Sequence, residues 1–167
     1  FVMFYLNSIF VATVVTLGQL LTCALAAYAF ARLEFPGREQ LFIGYLATMM
    51  VPGVVTLIPV FILLRELRLV DTYWALILPG LFSAYGTFLL RQFFMGIPRE
   101  LEDAARIDGC GKLGVLRHVI LPLSKPALAT LATFTFIGSW NDFMGPLIFI
   151  NSTAKKTLPI GLASFQG

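Results

Sequence analysis

Charged residues are scarce in this 167-residue sequence, in which Asp, Glu, Lys and Arg together make up 13%. That is about half the share expected of a soluble domain. So low a share excludes a nucleic-acid-binding module, a disordered tail and an ordinary cytosolic enzyme. The two cysteines, Cys23 and Cys110, are too few and too far apart for a disulfide framework or a zinc site. The single histidine, His118, cannot form a metal site by itself.

Apolar residues dominate instead, at 58% of the chain with 16 Phe and a mean hydropathy of +0.85. A membrane-spanning helix needs about 20 apolar residues. Four segments meet that length, at about 7–31, 41–64, 73–90 and 126–150, and Asp142 is the only charged residue within them. The sequence therefore predicts an all-α, polytopic membrane helical bundle with four transmembrane helices.

Basic residues are distributed unevenly among the loops, and this asymmetry predicts the orientation. The first and third loops hold eight of the twelve Lys and Arg: Arg32, Arg38, Arg91, Arg99, Arg106, Lys112, Arg117 and Lys125. We therefore expect the long loop 91–125 to be cytoplasmic and both ends of the chain to lie outside. Because this topology would be unusual for a complete protein, we expect the sequence to be an internal piece of a longer one.

The long loop contains the segment 97–126, which reads IPRELEDAARIDGCGKLGVLRHVILPLSKP. Pro98 suits a helix start, acids follow in the first turns, and Gly109 or Gly111 can end the helix. The segment therefore predicts a short helix, a glycine hinge and a second short helix. Acids and small residues favour docking of the first helix into another protein, because a helix lying on the membrane usually displays Lys and Arg beside large apolar groups.

The same segment resembles the EAA loop of the membrane subunits of binding-protein-dependent ABC importers. The resemblance lies in Asp103-Ala104-Ala105, in Gly109, and in the run Val119-Ile120-Leu121-Pro122. Asp103 stands where the family usually has Glu, and Glu102 comes immediately before it. The resemblance leaves open which of the two carboxylates is the polar anchor to a partner.

Other segments resemble the carbohydrate-uptake permeases of the maltose-transporter type, specifically the permease without a large external domain. They include 69–74 (LVDTYW), 88–94 (FLLRQFF) and 140–143 (WNDF). Members of that family normally have six spans, so four would be present here. The resemblance implies an inner or plasma membrane protein of a prokaryote. It also implies partners: cytoplasmic ATPase subunits, a second and non-identical permease, and an extracytoplasmic solute-binding protein.

The resemblance assigns the helix at 98–109, within the loop 97–125, as the coupling helix that sits in a cleft of the ATPase. The expected coupling residues are Glu102, Asp103, Ala104, Ala105, Arg106, Asp108, Gly109, Leu121 and Pro122. The sequence has no GxxxxGK[ST] motif to cradle ATP. We therefore expect no catalytic residue, metal site or cofactor in this chain, with ATP and magnesium bound by the partner ATPase, and no nucleic-acid partner.

Trp140, Asn141 and Asp142 are the candidates for the substrate pathway, because an indole face beside amide and carboxylate groups suits a sugar. An interfacial Trp anchor and an Asn that ties two helices together are the alternative. Three other functions are also open: a secondary carrier with Asp142 as ion-coupling acid, a permease for a non-sugar solute such as glycerol phosphate, and an intramembrane enzyme. The last is disfavoured because one acid within four spans supplies no paired carboxylates.

Overall fold

A computed structural model describes residues 1–164, which form α-helices and connecting turns without a β-strand. Eleven α-helices occur within these residues: α1 (Val2–Arg32), α2 (Arg38–Ala47), α3 (Gly53–Glu66), α4 (Trp74–Gly80), α5 (Ala84–Met95), α6 (Arg99–Ile107), α7 (Lys112–Val115), α8 (Leu121–Leu123), α9 (Lys125–Trp140), α10 (Met144–Phe149) and α11 (Leu158–Ala163). Leu116–Ile120, between α7 and α8, is a π-helical turn. The all-α prediction is confirmed.

Two helical stretches are long and apolar enough to cross a membrane: Val2–Arg32, with 31 residues, and Trp74–Met95, with 22. Two further pairs qualify only if each bent pair counts as one span. These are Arg38–Met50 with Gly53–Glu66, bent by 99°, and Lys112–Leu123 with Lys125–Trp140, bent by 79°. The described residues thus contain two candidate spans, or up to four, and the count of four stays a prediction.

The segment predicted as the second span is broken near its middle. Pro52 has an extended backbone, with ψ of 132°, and α3 begins immediately after it at Gly53. Proline lacks the N–H of an intrahelical hydrogen bond and also pushes the residue before it away from helical geometry. The Pro-Gly pair therefore divides an apolar run that is otherwise long enough to cross in one piece.

The segment predicted as the fourth span, 126–150, is likewise not one continuous helix. α9 ends at Trp140 and α10 begins at Met144, with three residues between them. The Asp142 Oδ1 atom accepts a hydrogen bond from the Gly145 backbone N–H at 3.2 Å. Asp competes with helical geometry in this way, because its short side chain caps the start of a new helix.

The described chain divides into two compact units. The first unit comprises residues 1–19, 50–82 and those from 133 onward, and the second comprises 20–49 and 83–132. The core of the first unit has two small clusters, one of Val11, Val15 and Ile77 and the other of Leu64, Ala75 and Phe149. Leu76 packs against both clusters.

The core of the second unit is larger and joins the C-terminal half of α1 to α5 and to the segment from α7 to α9. Its buried members include Cys23, Ala27, Leu90, Phe94, Val115, Ile120 and Leu131. Gly86 of α5 lies at the closest approach: a Cβ atom there would sit 3.0 Å from Cys23 Sγ and 3.0 Å from Leu131 Cδ1. This packing holds the end of α1 beside the segment that resembles the EAA loop.

Candidate functional site

The short helix α6 begins and ends as its sequence predicts. Pro98 precedes it, and Glu100 and Glu102 lie in the first turn, where the positive end of the helix dipole favours acids. At the other end Gly109 has φ of 88°, the Gly109 N–H bonds to the Arg106 carbonyl, and the Cys110 N–H bonds to the Ala105 carbonyl at 2.9 Å. These two bonds form a Schellman cap, which needs a left-handed residue at Gly109.

The adjacent acids of α6 point in different directions. The Glu102 side chain is 3% exposed, whereas the Asp103 side chain is 64% exposed. Consecutive residues project about 100° apart around a helix of 3.6 residues per turn. The structure thereby separates two carboxylates that the sequence leaves equivalent: Glu102 faces the interior of the second unit, and Asp103 faces outward.

Glu102 is paired with Arg32, the last residue of α1. Arg32 Nε lies 2.7 Å from Glu102 Oε1, and the Arg32 side chain is 4% exposed. The contact is an ion pair without the alignment of a hydrogen bond. Arg32 Nη2 also donates to the backbone carbonyls of Phe94 and Ile97, at 2.5 Å each. One guanidinium thus joins the end of α1, the end of α5 and α6.

Arg106 lies at the edge of this pair, half exposed. Its Nη2 is 3.8 Å from Glu102 Oε2, and its Nη1 is 3.5 Å from Asp103 Oδ1. Exposed pairs of this kind contribute only about 0–1 kcal/mol. Arg106 therefore contributes little to holding the helix in place.

The exposed surface of α6 around Asp103 is mixed, with the apolar Ala104 and Ile107 beside charged side chains such as Arg106. Ala104 is exposed and Ala105 is half-buried against the core of the second unit. Ile107 is 87% exposed, and Leu113, just beyond the glycine cap, is 71% exposed. Asp108 and Gly109 are exposed as well. A partner protein could approach this face closely, and the exposed carboxylates of Asp103, Glu100 and Asp108 are available for a basic group.

Leu121 and Pro122 lie on α8, after the π-helical turn. The Leu121 N–H bonds to the Leu116 carbonyl five residues earlier, and the Leu121 side chain packs on the core of the second unit. Pro122 is exposed in the first turn of α8. A π turn is rare, and where it occurs it is often at a functional site; no expectation from the sequence included it. Pro122 has no N–H to donate to the preceding turn, and this is the feature of the sequence that could have indicated the π turn.

Arg91 and Glu39 form another ion pair of the second unit, which sequence reasoning missed. The Arg91 Nη2 donates to Glu39 Oε1 at 2.9 Å and to Oε2 at 3.1 Å. Its Cζ lies 4.1 Å from the centre of the Phe42 ring, which adds a cation–π contact. The Glu39 side chain is half exposed. This pair fastens α5 to α2 and does not touch α6.

The predicted substrate-pathway residues lie in the first unit, separate from the α6 set. Trp140 is half-buried and makes ring contacts with Tyr5, at 5.5 Å between centroids, and with Phe136, at 5.9 Å. Asn141 and Asp142 are exposed in the break between α9 and α10. The three residues therefore stand together where the helix is interrupted.

A polar cluster around Asp71, also in the first unit, was missed as well. The Asp71 carboxylate accepts hydrogen bonds from the backbone N–H groups of Asn151 and Ser152 and from the Ser152 hydroxyl, and it pairs with the Lys155 ammonium. The pKa of Asp71 lies well below its usual range, chiefly because the Ser152 hydroxyl and N–H donate to its carboxylate. Partial desolvation raises the pKa, and the bonds from the Asn151 N–H and Lys155 lower it further.

Asn7 and Ser8 hold the same segment from α1. Asn7 Nδ2 donates to the carbonyls of Ala154 and Lys156 at 2.9 and 3.0 Å. The Ser8 Oγ accepts from the Leu158 N–H at 2.8 Å. Residues 150–158 thus have little regular helix but are fixed by side chains of distant segments, a long-range pairing that no local pattern predicts.

Residues 19–166 match the family described as the inner membrane component of binding-protein-dependent transport systems. The chain is 40% identical over 158 residues to the arabinooligosaccharides transport system permease protein AraQ of Halalkalibacterium halodurans, covering 95% of this chain and 57% of that protein. It is 40% identical over 159 residues to the sn-glycerol-3-phosphate transport system permease protein UgpE of Yersinia pestis, with coverage of 95% and 57%. The chain thus spans just over half the length of these relatives.

A solved structure gives the same relationship. The crystal structure of a bacterial ABC transporter involved in the import of the acidic polysaccharide alginate contains a chain that superposes with a TM-score of 0.89 at 28% sequence identity. The superposition covers 99% of this chain and 58% of that one. The α6 geometry, the family match and the related fold agree, and the chain belongs to the family of inner membrane components of binding-protein-dependent transport systems.

Proposed function

We propose that the full-length protein is a transmembrane subunit of an ATP-driven importer for a sugar or oligosaccharide, and that α6 is its coupling helix. The observation that carries the proposal is the exposed face of α6, where Asp103 and Ala104 project outward while Glu102 is buried. Such a face supports close contact with an ATPase subunit. ATP would be hydrolysed by that subunit, and solute would be delivered by an external binding protein.

Within this proposal Asp103 is the polar anchor to the ATPase. It is exposed and carries a charge that a basic group of the partner can pair with, whereas the Glu102 carboxylate is already paired with Arg32. Ala104 and Ile107 supply the apolar contact beside Asp103. The Gly109 cap ends the helix at the point where the chain must turn back towards α7.

Trp140, Asn141 and Asp142 are our proposal for the substrate pathway. They lie in a helix break, and non-helical backbone at membrane depth is tolerated where it is buried in protein or lines a water-filled cavity. The Asn141 amide and the exposed Asp142 carboxylate can bond sugar hydroxyls, and the Trp140 ring offers an apolar face. Asp142 also accepts the Gly145 N–H, so it holds the start of α10 in addition.

The relatives support the sugar class over the alternatives. AraQ is named for arabinooligosaccharide transport and the solved neighbour for import of an acidic polysaccharide, while UgpE is named for sn-glycerol 3-phosphate. A non-sugar solute such as glycerol phosphate is therefore the second candidate. A secondary carrier would not need the exposed face of α6, and Asp142 is already engaged in capping a helix.

The test uses the full-length protein, tagged and purified in mild detergent from membranes of its own cells. We expect ATPase subunits to co-purify, and reconstituted vesicles to accumulate arabinooligosaccharide only with ATP and binding protein present. Accumulation of sn-glycerol 3-phosphate alone would replace the sugar class by the second candidate. Uptake by protein free of any ATPase would overturn the proposal in favour of a secondary carrier.

Asp103→Arg is expected to lower the amount of co-purified ATPase by about tenfold, because it places a like charge opposite a basic partner group. Glu34→Arg is the matched control, since Glu34 is an exposed acid of the first loop, outside α6. It should leave the ATPase content unchanged. Equal ATPase content in both variants would show that Asp103 is not the anchor.

A further inference from the structure

We infer that Arg32 is a positioning residue that fixes α6 to the end of α1, so that movement of α6 displaces the first helix directly. This inference rests on the proposed role of α6 as coupling helix. Neither the family description nor the names of the relatives assigns any role to Arg32.

Few side chains of α6 attach it to the rest of the second unit. Glu102 is the only buried side chain of Arg99–Ile107, and Ala105 is the half-buried one. The remaining side chains of the helix, Ile107 among them, are exposed. An amphipathic helix is ordinarily held by a stripe of several apolar residues. α6 instead depends on a carboxylate for its attachment.

The Glu102 carboxylate contacts an arginine that is itself bound to the end of another helix. The Arg32 guanidinium pairs with Glu102 and donates to the carbonyls of Phe94 and Ile97, at the end of α5. Carbonyls in the last turn of a helix carry the negative end of its dipole, which favours a cation beside them. The Phe94 carbonyl also accepts the Ile97 N–H at 3.1 Å. A planar guanidinium with several N–H groups suits such a junction better than a flexible ammonium.

Burial makes the contact between Arg32 and Glu102 costly to break. Both side chains of the pair are at most 4% exposed. Separating them would leave the buried Arg32 charge without a carboxylate, and Glu102 with only the half-exposed Arg106 at 3.8 Å. The geometry therefore makes α6 and the last turn of α1 move as one piece. A displacement of α6 by the ATPase would therefore be passed directly to α1, a helix of 31 residues (Val2–Arg32).

The experiment compares Arg32→Gln, Glu102→Gln and the double variant in the full-length reconstituted complex. The measured quantity is solute taken up per ATP hydrolysed. Each single variant should keep its ATPase subunits and hydrolyse ATP within about twofold of wild type, while uptake per ATP falls about tenfold. The double variant should be no worse than the more severe single one, because both substitutions remove the same contact.

Arg32→Lys keeps the test decisive if Arg32→Gln or Glu102→Gln fails to fold. It keeps the buried positive charge but cannot hold the carboxylate and two carbonyls together, so uptake per ATP should fall about threefold with thermal stability largely kept. Glu39→Gln is the matched control, because it breaks the Arg91–Glu39 pair without touching α6. It should leave uptake per ATP unchanged.

Normal uptake per ATP in folded Arg32→Lys and Arg32→Gln complexes would overturn the inference, whatever their thermal stability. A purely structural role would give that result. A wild-type protein that binds no ATPase would instead refute the proposed function, so the two failures are distinguishable.

Discussion

Asp71 shows how one side chain can organise a segment far from it in sequence. Its carboxylate gathers the N–H groups of Asn151 and Ser152, the Ser152 hydroxyl and the Lys155 ammonium. Asp71 itself has a left-handed backbone, with φ of 61°, which is uncommon for a residue other than glycine. The local backbone conformation is thus maintained by the bonds that the side chain makes.

Asp71→Asn should destabilise the protein at neutral pH, because an amide accepts fewer bonds and carries no charge for Lys155. The ionised Asp71 is favoured in the folded state, since its pKa is lowered chiefly by Ser152. Its stabilisation is therefore complete above the unfolded pKa of about 4 and is lost as the pH falls below that value towards the folded pKa. The wild-type advantage in melting temperature should be constant from pH 5 to 8 and shrink below pH 4.

The control for this prediction is Asp108→Asn, which changes an exposed acid at the end of α6. Its melting temperature should follow that of wild type throughout the pH range. A constant difference between Asp71→Asn and wild type down to pH 2 would contradict the assigned ionisation.

At the scale of elements, the cap of α6 decides where the coupling helix stops. The residues on either side of Cys110 are both glycine, but only Gly109 has a positive φ. Gly111 has φ of −72° and ψ of 174°, which any residue can adopt. A Cβ atom would meet no atom within 4 Å at either position. The two glycines therefore differ in backbone strain and in position, since Gly109 ends α6 and Gly111 is the N-cap of α7.

Gly109→Ala should cost about 1 kcal/mol of unfolding free energy, because alanine is strained in the left-handed region. Gly111→Ala should cost less, because it introduces no left-handed strain. Its cost is that of replacing Gly by Ala at the N-cap of α7, partly offset by restriction of the unfolded chain. Denaturant unfolding of the two variants in the same detergent measures the difference. Equal free energies would mean that the Schellman cap at Gly109 does not govern the end of α6.

At the scale of the whole molecule, the orientation predicted from the Lys and Arg distribution can be tested with the cysteines of the chain. Cys110 is half-buried in the loop 91–125, and Cys23 is buried in the second unit. In full-length protein without other cysteines, a membrane-impermeant maleimide should label Cys110 only after the cells are permeabilised. Thr153→Cys, in a Cys110→Ser background, should be labelled in intact cells, because Thr153 is exposed on the segment predicted to lie outside.

Cys110→Ser alone is the control and should show no labelling in either state, because Cys23 is 1% exposed. Labelling of Cys110 in intact cells would reverse the predicted orientation. It would also remove α6 from the side of the membrane where an ATPase could bind it.

Much of the molecule follows from the sequence. Long apolar runs must be helical where the backbone cannot bond to water, and Pro98, the early acids and Gly109 delimit α6 because each satisfies or avoids an unpaired group at a helix end. These are local effects, and local patterns predict them. The match to the EAA loop is local as well, so the family was open to recognition from the residues alone.

Only the tertiary structure decided which acid of α6 is buried. Glu102 and Asp103 are chemically alike and adjacent, and their roles separate because Arg32, seventy residues earlier in the sequence, meets one and not the other. The cluster at Asp71 was decided in the same way, because Asn151 and Ser152 lie 80 and 81 residues away in the sequence. The Asp142–Gly145 bond, by contrast, spans three residues and is local. Sequence patterns fix which groups need partners, and the fold fixes which partners they find.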